Sequence, residues 1–267
     1  MNIYSSKIRQ DFDRIANLPD EGWNHNHHYH PYLLRHLPTQ SDADALDIGC
    51  GTGTITRLLA QRFRRVLALD LSPRMIEVAK ERSKEYPNID YQVGEVMEYP
   101  LPAQFGCVVS IATLHHIPFE PILTKIKQAL APGGVLLILD LYRAETLADY
   151  ATSAVAIPVN LALKWLKNGR IRASAEARAA WEEHGHTDVY LPLSEVRAVC
   201  SGLLPHAKIT RHLLFRYSLV WEKYETHQTS PSHPHPDPRG VGLCPAWEPN
   251  PRGERSPYRT NYSHAHP

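Results

Sequence analysis

The stretch Leu46-Asp47-Ile48-Gly49-Cys50-Gly51-Thr52-Gly53-Thr54 constrains this chain more than any other, because of what flanks it. Before the glycines lies the apolar run Ala45–Ile48, short enough to read as a parallel strand covered on both faces. Behind them, Ile55, Leu58, Leu59 and Phe63 recur at helical spacing, which predicts a helix over Ile55–Phe63. Glycine at alternate positions lets the backbone turn tightly and approach a ligand where a Cβ would collide. Strand, glycine loop and helix in that order specify an α/β unit with its binding crevice at the carboxyl end of the strand.

The pattern continues downstream. Val66–Leu69 reads as a second strand, and Met75, Ile76 and Ala79 mark a helix entered through Ser72-Pro73 as cap and first turn. Ile89–Val93, Cys107–Ile111 and Val135–Leu141 supply three more strands. A helix over roughly 120–130 precedes the last of these and stops at Ala131-Pro132-Gly133-Gly134. Such alternation predicts a doubly wound, mostly parallel sheet with helices on both faces. Ala207–His212 and Tyr217–Glu222 read as an antiparallel pair at one edge. The segment 143–190 is too long for a simple crossover and reads as a helical lid broken at Pro158. Its Leu161, Leu163, Trp165 and Leu166 stand among Lys164, Lys167, Arg170 and Arg172, as in a helix with one core face and one solvated face. Residues 226–267 are dense in Pro, His, Ser, Arg and Gly with almost no aliphatic residues, so a disordered tail is expected there.

Several residues converge on the crevice. Asp70 ends the second strand, where an acid can accept hydrogen bonds from both hydroxyls of a ribose. Gly94-Glu95 ends the third, and Glu95 can accept from an adenine amino group. Ile111-Ala112 and Leu114 end the fourth, at the mouth of the same crevice. A dehydrogenase Gly-x-Gly-x-x-Gly would need glycine where Thr54 stands, and no Gly-Lys-Ser/Thr follows to make a P-loop. Asp47 can bond the positive amino group of a methionine moiety, which a dinucleotide lacks.

Asp47-Ile-Gly-Cys-Gly-Thr-Gly53, Asp70-Leu-Ser-Pro-Arg-Met75, Leu114-His-His-Ile117 and Leu130-Ala-Pro-Gly-Gly134 together resemble the class I S-adenosylmethionine-dependent methyltransferases. The likeness is nearest to the small-molecule group that includes the quinone-biosynthesis methyltransferases. It covers about residues 9–222 and is strong in the cofactor half. The resemblance implies a Rossmann-like seven-stranded sheet with an antiparallel last strand, in a domain over 41–225 covered by a helical segment at 1–40. It implies that Asp47, Gly49, Cys50, Gly51 and Gly53 form the methionine-side loop, with Asp70 on the ribose. Leu71 and Met75 would lie near the adenine, Gly94, Glu95 and Val96 at its edge, and Ile111 at the crevice mouth. Glu95 departs from the aspartate common in the family.

The acceptor side is less legible. His115 and His116 follow the fourth strand at the catalytic end of the sheet, where either can orient a substrate or take a proton. His186 with Asp188 makes a second candidate, an oriented base with His184 nearby. Four histidines in Trp23-Asn-His-Asn-His-His-Tyr-His30 lack an acid or cysteine among them, and a cover over the crevice fits them better than a metal site. No metal ligand set is read from the sequence.

With 29 basic and 28 acidic side chains the net charge is +1, which gives no whole-molecule reason to expect nucleic acid. Cys50, Cys107, Cys200 and Cys244 are far apart and suggest neither a disulfide framework nor a zinc site. The polar N-terminus and the absence of an apolar stretch of about 18 residues argue against a signal or a span, so cytoplasm is the expected compartment. The expected reaction is methylation of a small-molecule acceptor at an O, N or C atom, and an amphipathic lid would suit a hydrophobic one such as a phenol or quinone precursor. A non-catalytic S-adenosylmethionine-binding protein and an RNA or protein methyltransferase are the alternatives.

Overall fold

The computed structural model describes residues 3–19, 22–102, 104–186 and 188–224, and the expected tail lies outside the described residues. In chain order the elements are α1 (Ile3–Ile15), α2 (His25–Leu34), β1 (Ser41–Ile48), α3 (Thr54–Ala60), β2 (Phe63–Asp70), α4 (Pro73–Arg82), β3 (Ile89–Val93) and β4 (Phe105–Ile111). There follow α5 (Phe119–Ala129), β5 (Leu130–Leu141), α6 (Leu147–Asn168), α7 (Ala175–Gly185), α8 (Leu193–Leu203), β6 (Lys208–Arg211) and β7 (Arg216–Glu222).

Seven strands form one sheet in the order β3-β2-β1-β4-β5-β7-β6. The pairs β1–β2, β2–β3, β1–β4 and β4–β5 are parallel, and β7 runs antiparallel to both β5 and β6. The chain builds outward from β1 to β3 and then crosses to β4 on the other side of β1. That reversal parts the loops after β1 and β4, where open α/β sheets bind their ligands.

Two-residue alternation explains how both faces are covered. Leu46, Ile48, Val108, Leu136 and Ile138 point to one side, where Ile122, Leu123 and Ile126 of α5 and Leu193, Val196 and Cys200 of α8 pack on them. Ala45, Cys107, Val109, Leu137 and Leu139 point to the other, against Tyr29 and Leu33 of α2 and Ile55 and Leu59 of α3. Each wholly buried leucine or isoleucine contributes about 1.5–3 kcal/mol of transfer free energy. Ser72 caps α4 by accepting from the Met75 N–H at 3.0 Å, and Pro73 fills the first turn, where its missing N–H costs nothing.

Three expectations are corrected. Phe63 begins β2 instead of ending a helix, because it pairs across to Ser41 and buries its ring against Val66 and Leu59. The Ala131-Pro132-Gly133-Gly134 segment lies within β5, in the register shift between the Phe105–Leu130 and Cys107–Val135 pairs. Helix α6 runs through Pro158 unbroken. A proline removes one hydrogen bond, a loss of about 3 kcal/mol. This 22-residue helix withstands it, closed at one end by a Thr146–Asp149 capping box and at the other by Gly169 in the left-handed region.

The lid is also oriented differently from expectation. Val159 and Leu163 pack against the core, but Leu161, Trp165 and Leu166 are exposed. Polar residues of α6 meet the protein alongside Val159 and Leu163. Asn160 bonds His25, Asn168 exchanges two hydrogen bonds with the backbone of Trp23, and Asp149 pairs with Arg211 at 2.6 Å. Among the described residues no helix is long and apolar enough to cross a membrane.

Candidate active site

A cavity of about 1180 Å³ opens at the carboxyl ends of β1, β2, β3 and β4, lined by the loops after them and by residues of α1 and α2. Its size exceeds the roughly 300–1,000 Å³ typical of a site for one small ligand, so a cofactor and a second molecule fit together.

The glycine loop forms one end. Gly49, Gly51 and Gly53 all have positive φ, at 72°, 50° and 77°. Gly49 and Cys50 donate to the Leu69 carbonyl, which ties the loop to β2. A Cβ on Gly49 would stand 2.0 Å from the Thr113 hydroxyl, and one on Gly53 would stand 2.2 Å from that of Tyr91. Those two glycines allow close packing of the protein on itself. At Gly51 a Cβ would meet nothing within 4 Å, and Gly51 is the one of the three glycines that both lines the cavity and opens onto free space. Gly49→Ala should therefore lose at least about 1–2 kcal/mol of stability from the left-handed conformation alone. Thermal unfolding checks this; an unchanged Tm would contradict the close approach to Thr113.

The acids around the loop are held differently from one another. Asp70 takes the Gly51 N–H at 2.8 Å on one oxygen and the Ser72 N–H at 2.9 Å on the other. Burial pushes its carboxyl up to about 6, against the pull of those donors. Glu95 accepts from the Ser5 hydroxyl of α1 at 3.0 Å, while its other oxygen is buried without a hydrogen-bond partner. Asp47 is wholly buried; one oxygen accepts from Thr56 at 2.5 Å and the other has no partner. Burial pushes its carboxyl up to about 7.

Opposite the loop, β4 is followed by Ala112, a non-glycine residue at φ 51°, and by a 3-10 turn over Leu114–His116. The His115 N–H donates to one oxygen of Asp140 at 3.1 Å, and its Nδ1 lies 2.6 Å from the other. With Nδ1 donating to the carboxylate, Nε2 keeps its lone pair. Both nitrogens of His116 are buried with no hydrogen bond, and burial pushes the ring down to about 2, so it stays neutral. Asp188 accepts from the Tyr190 hydroxyl on one oxygen. Its other oxygen makes no hydrogen bond and lies 3.9, 3.6 and 3.6 Å from His115 Nε2, His116 Nδ1 and His184 Nε2.

A family model described as a methyltransferase domain matches residues 46–138. An uncharacterized methyltransferase of Mycobacterium tuberculosis is 29% identical over 206 residues, 76% of this chain and 98% of that one. The 2-phytyl-1,4-naphtoquinone methyltransferase of Thermosynechococcus vestitus is 31% identical over 153 residues, 54% of this chain and 68% of that one. The chain belongs to the class I S-adenosylmethionine-dependent methyltransferases. Among solved structures, the geranyl diphosphate C-methyltransferase of Streptomyces coelicolor superposes with a TM-score of 0.60 at 12% identity, over 83% of this chain and 98% of that one. The N-methyltransferase NodS of Bradyrhizobium japonicum gives 0.56 at 18%, over 81% and 98%. At these identities the likeness is one of fold.

Of the residues singled out from the methyltransferase's sequence, Gly49, Cys50, Gly51, Asp70, Leu71, Met75, Gly94, Glu95, Val96, Ile111, His115 and His116 line the cavity. Asp47, buried against Thr56, and Gly53, at the start of α3, are not among the lining residues. His186 is a correction. It caps the end of α7 with its side chain exposed, because helical spacing from Ala177 and Ala180 turns His184 inward instead. His184 thus takes the place beside Asp188 expected of His186. Asp140 went unread, although an acid closing the apolar run Val135–Leu139 was the available signal. Histidines 25, 27 and 30 line the cavity from α2.

Proposed function

We propose that this methyltransferase moves a methyl group from S-adenosylmethionine to a small, largely apolar acceptor held between the glycine loop and the His115–His116–Asp188 cluster. The observation that carries the reading is the single cavity joining the two, with Tyr4, Ile8 and Phe12 of α1 and Val189 and Leu191 beyond α7 as apolar walls. The naphthoquinone in the name of the Thermosynechococcus relative supports an acceptor of ring-bearing, weakly polar type. A reducing, cytoplasmic setting suits the free, buried Cys50, Cys107 and Cys200.

The residues fit the cofactor. Gly51 leaves space where a side chain would stand, and Glu95 offers a buried oxygen with no protein donor, suited to an adenine amino group. Asp70 accepts the two ribose hydroxyls with the lone pairs its backbone donors leave over, and Leu71 and Met75 flank the base. Asp47 acts from beneath the loop, its negative charge favouring the ammonium of the methionine portion. When bound, S-adenosylmethionine supplies a sulfonium-activated methyl group for in-line displacement. The protein's part is alignment and exclusion of water. His115, oriented by Asp140, and His116 hold the polar atom of the acceptor toward that group, and α1 closes over both.

Cofactor affinity should depend on pH through Asp70 and through Asp47, whose carboxyl burial raises to about 7. Protonation removes acceptor capacity, so the dissociation constant should rise as the pH falls through about 7 and about 6. For folding the sign is opposite: a carboxyl raised by burial makes the ligand-free protein less stable as pH climbs from the usual carboxylate range through about 6. Calorimetry at pH 5 and pH 7.5 reads the first effect, and equal affinities would contradict it. The reading as a whole is tested by incubating the protein with S-adenosylmethionine carrying a labelled methyl group and a panel of phenols and quinone precursors. Transfer of label to members of the panel supports it; transfer only to RNA or protein added in parallel overturns it.

A further inference from the structure

His115 and His116 are separated from Asp188 by more than seventy positions of sequence, yet their nitrogen and oxygen atoms lie within 4.8 Å of one another. All three line the cavity, and their side chains are 6, 6 and 7% exposed. We propose that His115 Nε2, His116 Nδ1 and Asp188 Oδ1 bind one divalent transition-metal ion, with zinc the best match to the donor set.

The distances fit an ion at the centre. Bonds of about 2.0–2.2 Å in a tetrahedral site place neighbouring ligand atoms about 3.3–3.6 Å apart. His115 Nε2 and His116 Nδ1 lie 3.9 and 3.6 Å from Asp188 Oδ1, so these two distances need contract by only a few tenths of an ångström, and the two nitrogens, within 4.8 Å of each other, turn inward by side-chain rotation to complete the site. The hydrogen bonding also points to a ligand. Both nitrogens of His116 and Oδ1 of Asp188 are buried with no hydrogen bond, and coordination would give Nδ1 and Oδ1 the partner they lack.

The groups behind the ligands are those a metal site uses. Asp140 takes the Nδ1 of His115 at 2.6 Å, which aims Nε2 inward as carboxylate–histidine pairs do at metal centres. The Tyr190 hydroxyl occupies Oδ2 of Asp188 and so presents Oδ1. His184 stands 3.6 Å from that oxygen, with its Nδ1 3.4 Å from Asp11. Two imidazoles and one carboxylate favour zinc, cobalt, manganese or iron over magnesium or calcium. Three protein ligands facing a cavity also leave a coordination position open, as catalytic sites do. Its use for an oxygen-bearing acceptor rests on the methyl-transfer reading; the binding of the ion does not. Among the described residues no other group of histidine, cysteine and acid side chains converges in this way.

The test is cobalt titration of the full-length chain after chelator treatment, followed by visible absorption. The five tail histidines (His227, His233, His235, His264 and His266) are replaced by glutamine in every protein compared, so that they contribute no signal. One equivalent of Co²⁺ should give a d–d band that H116A and D188N both lack. D140N should keep the band with affinity lowered roughly 10–100-fold, the usual cost of losing a carboxylate behind a ligand. S-adenosylmethionine calorimetry on the same proteins separates loss of the ion from loss of the fold, and D188N decides should H116A fail to fold. No cobalt binding by the parent, or a band unchanged in H116A and D188N, overturns the metal site. A parent that binds cobalt but not S-adenosylmethionine overturns the cofactor reading and leaves the metal site standing.

Discussion

Replacing Asp70 with alanine is expected to weaken S-adenosylmethionine binding by roughly 100-fold to 10,000-fold. Two hydrogen bonds from ribose hydroxyls to a charged acceptor are at stake, each contributing about 1.5–3 kcal/mol. Every 1.4 kcal/mol is tenfold in affinity. The same carboxylate also takes the Gly51 and Ser72 N–H groups, so alanine would loosen the loop as well as remove the acceptor. Asp70→Asn separates the two contributions. It keeps one acceptor oxygen, loses the charge and should fall between wild type and alanine. Calorimetry reads both variants, and unchanged affinity for Asp70→Ala would mean that the ribose lies elsewhere.

His116→Ala should act on the other end of the cavity. Its ring stands 4.0 Å from that of His115 and 5.0 Å from that of His184, measured between centroids, so removing it leaves a gap exactly where the acceptor is to be held. Misplacement of a bound reactant by about 1 Å can cost 100-fold in rate. Turnover should therefore drop about 100-fold while cofactor affinity stays within a factor of a few, because the ring stands among Phe12, His115, His184 and Asp188, none of them assigned to the cofactor. Full activity would mean that the histidine end does not hold the acceptor; a parallel loss of cofactor affinity would mean that the variant has damaged the fold.

The cofactor half was legible because short-range rules determine it. A glycine loop between a strand and a helix, an acid at the end of the next strand and a capped helix after it are local patterns, and β-sheet order brings them together. The antiparallel edge pair was legible for the same reason. Misreadings came where partners distant in sequence decide. Phe63 has a helical spacing but a strand partner in Ser41. The Pro132-Gly133-Gly134 turn signal sits in a strand because Phe105 and Cys107 pair on either side of it. Asp47 reads as a lining residue from its place in the motif, yet the alternation of β1 buries it beneath the loop, bonded to Thr56.

The histidine end was the least legible part. His115 and His116 were visible as a pair after β4, but what they face depends on how α7 returns over the cavity. Periodicity in Ala177, Ala180 and His184 held the information that His184, and not His186, turns inward. Asp140 lies in β5 and Asp188 beyond α7, and nothing in their spacing along the chain announces that both converge on His115. The lid misled in the opposite sense, because Leu161, Trp165 and Leu166 stay exposed while Asn160 and Asn168 meet the protein.

The most direct test of the account is calorimetric titration of the full chain with S-adenosylmethionine and, separately, with NADH. Saturable one-to-one binding of S-adenosylmethionine, with no heat from NADH beyond dilution, is the predicted result. Binding of NADH alone would contradict the assignment of the glycine loop, Asp70 and Glu95 to a methionine-derived cofactor.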